Sequence, residues 1–136
     1  MKTFSKEQID EIINLLDFTK IEGGLIPVIT QDYKTNEVLI LAFANEEAVR
    51  LSLETGYAHF YSRSRKKIWK KGESSGHVEE IIQVITDCDN DSLLFKVKQI
   101  GAACHKGYYS CFYNELTNEG VNIIGKKVFN PDEVYK

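Results

Sequence analysis

Four apolar runs, LIPVITQD (25–32), EVLILAFA (37–44), VEEIIQVIT (78–86) and SLLFKVKQI (92–100), dominate the middle of the chain. Each is short and bounded by turn-forming residues, so each reads as a strand, the first two joined by the polar turn YKTN. Apolar residues distributed in this way must be buried in a sheet, and only a few segments offer a helix. Ser5 can cap a helix through about Leu16, because Ile9, Ile12, Ile13 and Leu16 recur at helical spacing on one face. Asn45 can cap a second, EEAVRLSLET, with Gly56 placed to end it. The aromatic YAHFYSRS alternates and predicts another strand, followed by the basic loop RKKIWKKGESSGH. A turn, GAACHKG, leads into YYSCFYNEL, read as an aromatic strand; VNIIGKKVF and NPDEVYK suggest a last strand and a short closing helix. The expected class is α+β, a mostly antiparallel sheet with few helices.

With 136 residues and 43% hydrophobic composition the chain can bury one core but hardly two, so a single domain over 1–136 is expected, the helix at about 5–17 being an extension. A net charge of -3 and a pI near 5.6 speak against a nucleic-acid binder relying on an overall basic field, though a local basic patch is compatible with them. The first eighteen residues have no long uncharged apolar core, and no stretch approaches a membrane span. A cytoplasmic location without a membrane partner is expected. In a reducing compartment the three cysteines, which cannot all pair within one chain, serve as metal ligands, nucleophiles or buried fillers.

TDCDNDSLL (86–94) places Asp87, Asp89 and Asp91 at every second position. In an extended strand the three carboxylates share one face and Cys88 takes the other. Crowded carboxylates repel unless a cation sits among them, and an oxygen cluster suits a hard ion such as Mg²⁺, a thiol a soft one. The alternative is a polar, solvated turn after the strand.

Cys88, Cys104 and Cys111 are separated by fifteen and six residues, which is no familiar zinc-finger spacing. Three thiolates can nonetheless hold Zn²⁺ with a fourth position left for water, the arrangement of a catalytic zinc. Otherwise they are buried fillers, a reading that suits Cys111 in an aromatic strand. His105 follows Cys104 directly, and His59 and His77 flank the basic loop; each imidazole could carry a proton. The basic segment combines Arg63, Arg65, Lys66, Lys67, Lys70 and Lys71 with Trp69, Ser74 and Ser75, groups that can grip phosphate and stack on a base. It matches no P-loop, and a solvated basic loop with Trp69 anchored in the core is the competing interpretation.

SRSRKKIWKKGESSGH, DCDND and ACHKGYYSCF, taken in order, resemble the phosphoribosyl-AMP cyclohydrolase family of histidine biosynthesis, and the likeness runs from about Gly24 to Tyr135. The resemblance implies a Zn²⁺ and Mg²⁺ homodimer that opens the adenine ring of phosphoribosyl-AMP between N1 and C6. It assigns Cys88 of one subunit with Cys104 and Cys111 of the other to zinc, and Asp87, Asp89 and Asp91 to Mg²⁺. His105 becomes the candidate proton carrier, with His59 and His77 as substitutes. Arg63, Arg65, Trp69, Lys71, Ser74 and Ser75 become the substrate-binding set, a small-molecule nucleotide site rather than a nucleic-acid one. Glu79 stands where relatives often have glutamine, Asn90 where glycine is common, and Tyr108 and Tyr109 where a basic residue often occurs. A pyrophosphohydrolase domain, fused in some relatives, is expected on a separate chain. A zinc-stabilised nucleotide- or RNA-binding module is the alternative from another class. A zinc deaminase shares the water chemistry but lacks its H-x-E and P-C-x-x-C pattern.

Overall fold

Strand β1 (Leu25–Asp32) organises the molecule. The computed structural model describes residues 4–134. Alternation along β1 turns Ile26, Val28, Thr30 and Asp32 inward, so two polar side chains continue the buried face begun by two aliphatic ones. β2 (Val38–Asn45) pairs with β1 antiparallel, Val28 opposite Ala42. On its other side β1 meets β6 (Leu93–Gln99) in parallel, Thr30 opposite Phe95, and β6 pairs antiparallel with β5 (Glu79–Thr86). The resulting sheet has the order β2-β1-β6-β5. The expectation of a mostly antiparallel sheet holds, with the central β1–β6 pair as its exception.

Both expected helices form with the caps their sequences supply. In α1 (Lys6–Leu15) the Ser5 hydroxyl accepts from the Gln8 N–H while the Gln8 side chain accepts from the Ser5 N–H. In α2 (Glu46–Thr55) the Asn45 side chain accepts from the Ala48 N–H, and Gly56 closes the helix at φ 81°, a left-handed conformation open to glycine at little cost. Ile9 and Ile13 from α1 and Ala48, Val49 and Leu53 from α2 cover the sheet over Ile26, Val28, Leu39, Ile81 and Phe95. Phe60 and Phe95 are fully buried, so truncating either to alanine removes roughly 3–5 kcal/mol of stability.

The segment expected as a basic loop, 65–77, instead contains a strand, β4 (Lys67–Lys70), paired antiparallel with β3 (His59–Ser62). Lysines mask Ile68 and Trp69 in the sequence, yet Trp69 lies opposite Phe60 in register and packs on its ring, centroids 5.2 Å apart. YYSCFYNEL is not a strand over its first six residues. Its backbone is satisfied by single bonds to other elements, Tyr109 N–H to Lys126 O and Cys111 N–H to Leu39 O, each 2.8 Å. The strand there begins only at β7 (Asn114–Thr117), which turns back as β8 (Gly120–Ile123) in a hairpin exposed along its whole length. The closing helix α3 (Pro131–Val134) is present.

Candidate active site

Residues 40–42 of β2, the β3–β4 ribbon, the loop after it and the 100–113 segment line an open cleft of about 470 Å³. Arg65, Trp69, Lys71, Ser74, Ser75, His105 and Cys111 all line it, together with Lys67 and Lys70. Sequence positions 65 to 111 thus converge, because β4 and the residues flanking it carry Arg65, Lys67, Lys70 and Lys71 along one wall while Ala103, His105 and Cys111 contribute another. Gly72 makes the sharp bend at φ 82°; a Cβ there would overlap the His77 backbone. Arg63 stands apart from the cleft lining, its guanidinium over the Phe43 ring at 4.2 Å.

His105 is exposed on the cleft wall. The other two histidines are held elsewhere: His59 is buried with Nδ1 2.8 Å from Tyr57 O, and His77 packs edge-on against Phe129 while its Nδ1 accepts from the Ala102 N–H. Tyr108 stacks on Tyr113, and the Tyr109 hydroxyl donates to Asp32.

Cys104 is buried and Cys111 faces it. Burial of the thiol, and then the neighbouring Cys104, push Cys111 up to about 12. The residue as a whole is exposed, but the surroundings of its sulfur govern ionisation, and they disfavour a bare thiolate. Cys88 does not join this pair: among the described residues the one group of three or more His, Cys, Asp and Glu ligand atoms close enough for a single ion is Asp87, Asp89 and Asp91, within 4.8 Å of one another.

Those aspartates are not on an extended strand. Thr86 ends β5, and residues 87–92 form the turn into β6 with Asn90 at φ 60°. The carboxylates meet because the turn folds back on Asp87, whose Oδ1 accepts from the Asp91 N–H at 3.0 Å. The solvated turn and the carboxylate cluster, posed by the sequence as alternatives, are here the same structure. Lys20, from the α1–β1 connection, bridges Asp89 and Asp91 at 2.9 and 3.0 Å. The ligands are charged oxygens at close quarters, a set that fits a hard divalent cation, while the paired sulfurs fit a soft one.

Glu79 carries chemistry that the sequence reading missed. It is fully buried; its Oε2 accepts from the Thr30 hydroxyl at 3.0 Å, and burial drives its carboxyl up to about 7 against that bond and nearby Lys71. Lys71 is itself buried, donates to His77 O at 3.1 Å, and is held below the ordinary lysine value by burial, with Glu79 opposing. The signal lay in the alternation of VEEIIQVIT, which puts Glu79 on the same buried face as Ile81.

Residues 40–113 match the sequence profile of the phosphoribosyl-AMP cyclohydrolase family. The chain belongs to the phosphoribosyl-AMP cyclohydrolase family. It is 62% identical over 114 residues to the phosphoribosyl-AMP cyclohydrolase of Methanoregula boonei, an alignment covering 84% of this chain and 90% of the relative. The protein of that name from Methanospirillum hungatei is 55% identical over 85% of this chain and 86% of its own length. That of Archaeoglobus fulgidus is 62% identical over 74% of this chain and 93% of its own. In this family member, therefore, the matched span contains the whole cleft and the acidic turn.

Proposed function

We propose that this protein is a phosphoribosyl-AMP cyclohydrolase of histidine biosynthesis, hydrolysing the N1–C6 bond of the adenine ring in 1-(5-phosphoribosyl)-AMP. The observation that carries the reading is the convergence of Arg65, Trp69, Lys71, Ser74, Ser75, His105 and Cys111 on one cleft in a chain of this family. We read the chain as a single-domain cytoplasmic enzyme; among the described residues no helix is long and apolar enough to cross a membrane.

The substrate's N1 bears a ribosyl group, so its purine ring is cationic and C6 is electrophilic. Trp69 offers a face for the ring, while Arg65 and Lys71, with Lys67 and Lys70 alongside, offset the phosphates. Arg63, on the Phe43 ring, belongs to the rim of this basic region. Ser74 and Ser75 supply hydroxyls to the sugar-phosphate side. A ring nitrogen of His105 takes the proton from the attacking water and returns it to the departing N1 side. Zn²⁺ would be held by Cys104 and Cys111 of one subunit and Cys88 of the partner subunit, and Mg²⁺ by Asp87, Asp89 and Asp91. The first supplies Lewis acidity toward water and the second charge to set against phosphate. The paired thiols support this assignment, since a cation would offset the burial that otherwise keeps Cys111 protonated.

A homodimer completes the zinc set and gives a purpose to exposed apolar surface. Phe112, Leu116, Val121, Ile123 and Ile124 are each more than half exposed, on and beside the β7–β8 hairpin. Incubating zinc- and Mg²⁺-loaded protein with phosphoribosyl-AMP and following the ring-opened product by mass spectrometry tests the activity. Salt-dependent RNA affinity with no turnover would instead favour a binding module.

A further inference from the structure

Cys104 and Cys111 sit on a stretch of chain outside every helix and strand, so something other than a ladder must fix the distance between them. Three consecutive residues tie this stretch to the closed end of the β1–β2 hairpin. The Tyr109 hydroxyl donates to the Asp32 carboxylate, the Ser110 hydroxyl to Val38 O at 2.6 Å, and the Cys111 N–H to Leu39 O at 2.8 Å. Tyr109 holds the other arm as well: its carbonyl accepts from the Ala103 N–H at 2.9 Å, and the adjoining Cys104 N–H donates to Tyr108 O at 3.1 Å. Two residues before Cys111, Tyr109 is therefore bonded both to the arm that carries Cys104 and to β1. Asp32 is a firm post for it. It ends β1 in register with Val97 of β6, is buried, and divides its carboxylate: Oδ1 accepts from the Lys34 and Thr35 N–H groups at 2.8 and 3.2 Å, while Oδ2 takes the Tyr109 hydroxyl. Of the three attachments only Tyr109–Asp32 is made to an ionised group, and such bonds are roughly twice as strong as neutral ones.

We propose that Tyr109 is a positioning residue, whose bond to Asp32 locks the 103–111 stretch against β1 and so presets the spacing of the Cys104 and Cys111 sulfurs before any cation arrives. Thiols held at a fixed separation receive a soft cation without a further cost of ordering the chain that carries them, and supporting hydrogen bonds of this kind carry roughly ten- to hundredfold of a metal site's affinity. The Tyr109 ring packs against the hydrophobic core, so Tyr109→Phe removes the bond and leaves the packing in place. The inference rests on the reading of these cysteines as zinc ligands, but the anchor itself can be read from the backbone of the metal-free protein.

In the experiment, full-length protein stripped of metal is titrated with Co²⁺, whose charge-transfer absorption reports thiolate ligation. The same metal-free protein is followed by amide hydrogen exchange and by urea unfolding. Tyr109→Phe should weaken Co²⁺ binding roughly tenfold or more and speed exchange in the peptide spanning 103–111, with the β5 amides unaffected. Either reading unchanged overturns the proposal; a merely structural role would lower the urea midpoint and leave the Co²⁺ affinity and spectrum in place. Asp32→Asn keeps Oδ1 for the turn amides and withdraws the charge from Tyr109, so it should weaken Co²⁺ binding too. The double variant should lose no more than the larger single loss, and additive losses would show the two side chains acting separately and overturn the proposal. If Tyr109→Phe does not fold, Asp32→Asn decides by the same two readings. If the wild-type protein shows no thiolate absorption with Co²⁺, the zinc reading fails and exchange alone decides the anchor: faster exchange over 103–111 in Tyr109→Phe upholds it, and unchanged exchange overturns it.

Discussion

The acidic turn at 87–91 and the floor of the cleft both crowd ionisable groups together, and access to water separates their behaviour. At the turn, hydrogen bonds set the shifts: the Ser92 hydroxyl first among them holds Asp87 at about 2, and Lys20 holds Asp89 low. Lys20 also pulls Asp91 down, but the neighbouring carboxylates outweigh it and Asp91 ends above the ordinary value. On the cleft floor burial is the largest influence on Glu79, Lys71 and Cys111, and it pushes each toward its neutral form. An exposed cluster can therefore exchange its cation with solvent, whereas a buried one must find its counter-charge within the protein. For a site thought to take one hard and one soft ion, these are two different routes to cation affinity.

Four experiments can break or sharpen that contrast. The largest effect is expected where the two regions would meet, at a zinc shared between Cys88 on the turn and the Cys104–Cys111 pair. Cys88→Ala and Cys104→Ala dimers should each be inactive, yet co-refolding equal amounts should restore roughly a quarter of wild-type activity, because half the dimers are mixed and each keeps one intact site. Persistent inactivity despite heterodimers seen by mass spectrometry would place all three thiols in one chain.

Next in size, Asp89→Asn should raise the Mg²⁺ concentration needed for half-maximal activity roughly tenfold or more, the equivalent of losing one charge-assisted contact, with zinc content unchanged. Zinc loss without that shift would reverse the division of labour between the regions.

The third experiment concerns stability and pH. The folded state holds the Glu79 proton up to about 7, whereas an unfolded chain releases it near 4.5. The native state therefore binds more protons in that window, and stability falls as pH rises from 4.5 to 7 and stays lower above it. This group alone contributes a drop of about 3 kcal/mol. Urea midpoints of Glu79→Gln should show a shallower fall than wild type between these pH values; matching slopes would mean the buried carboxyl is not what titrates.

Smallest is Lys20→Ala. An exposed ammonium competing for carboxylates is screened and easily displaced, so Mg²⁺ binding measured by calorimetry should tighten less than about fivefold. A larger change would show that the turn is less water-like than its exposure indicates.

The sequence made the helices and central strands legible because their determinants are local: Ser5 with Gln8, Asn45 with Gly56, and clean alternation in LIPVITQD. It failed where distant partners decide the outcome. Ile68 and Trp69 become strand only by pairing with β3, and Tyr108–Tyr113 lacks a continuous neighbour to pair with. The same distinction runs through the site. Residues of the basic segment were identifiable by type, and the cleft collects most of them, leaving Arg63 and Lys66 outside its lining. Glu79 was hidden because the meaning of a carboxylate depends on Thr30, Lys71 and Gln99, none of them near it in sequence.

The parallel pairing of β1 with β6 has a consequence for the order of events on the ribosome. β1, β2 and α2 are complete by residue 55, but the strand that covers the other edge of β1 ends at residue 99. At roughly 5–20 residues per second, synthesis leaves that edge bare for several seconds. During that interval the nascent chain presents unpaired backbone groups to whatever strand arrives first. A chain of this design favours prompt emergence of its second half, and slow codons between β2 and β6 would be expected to lower the yield of folded protein through misassociation rather than through any change in the finished molecule.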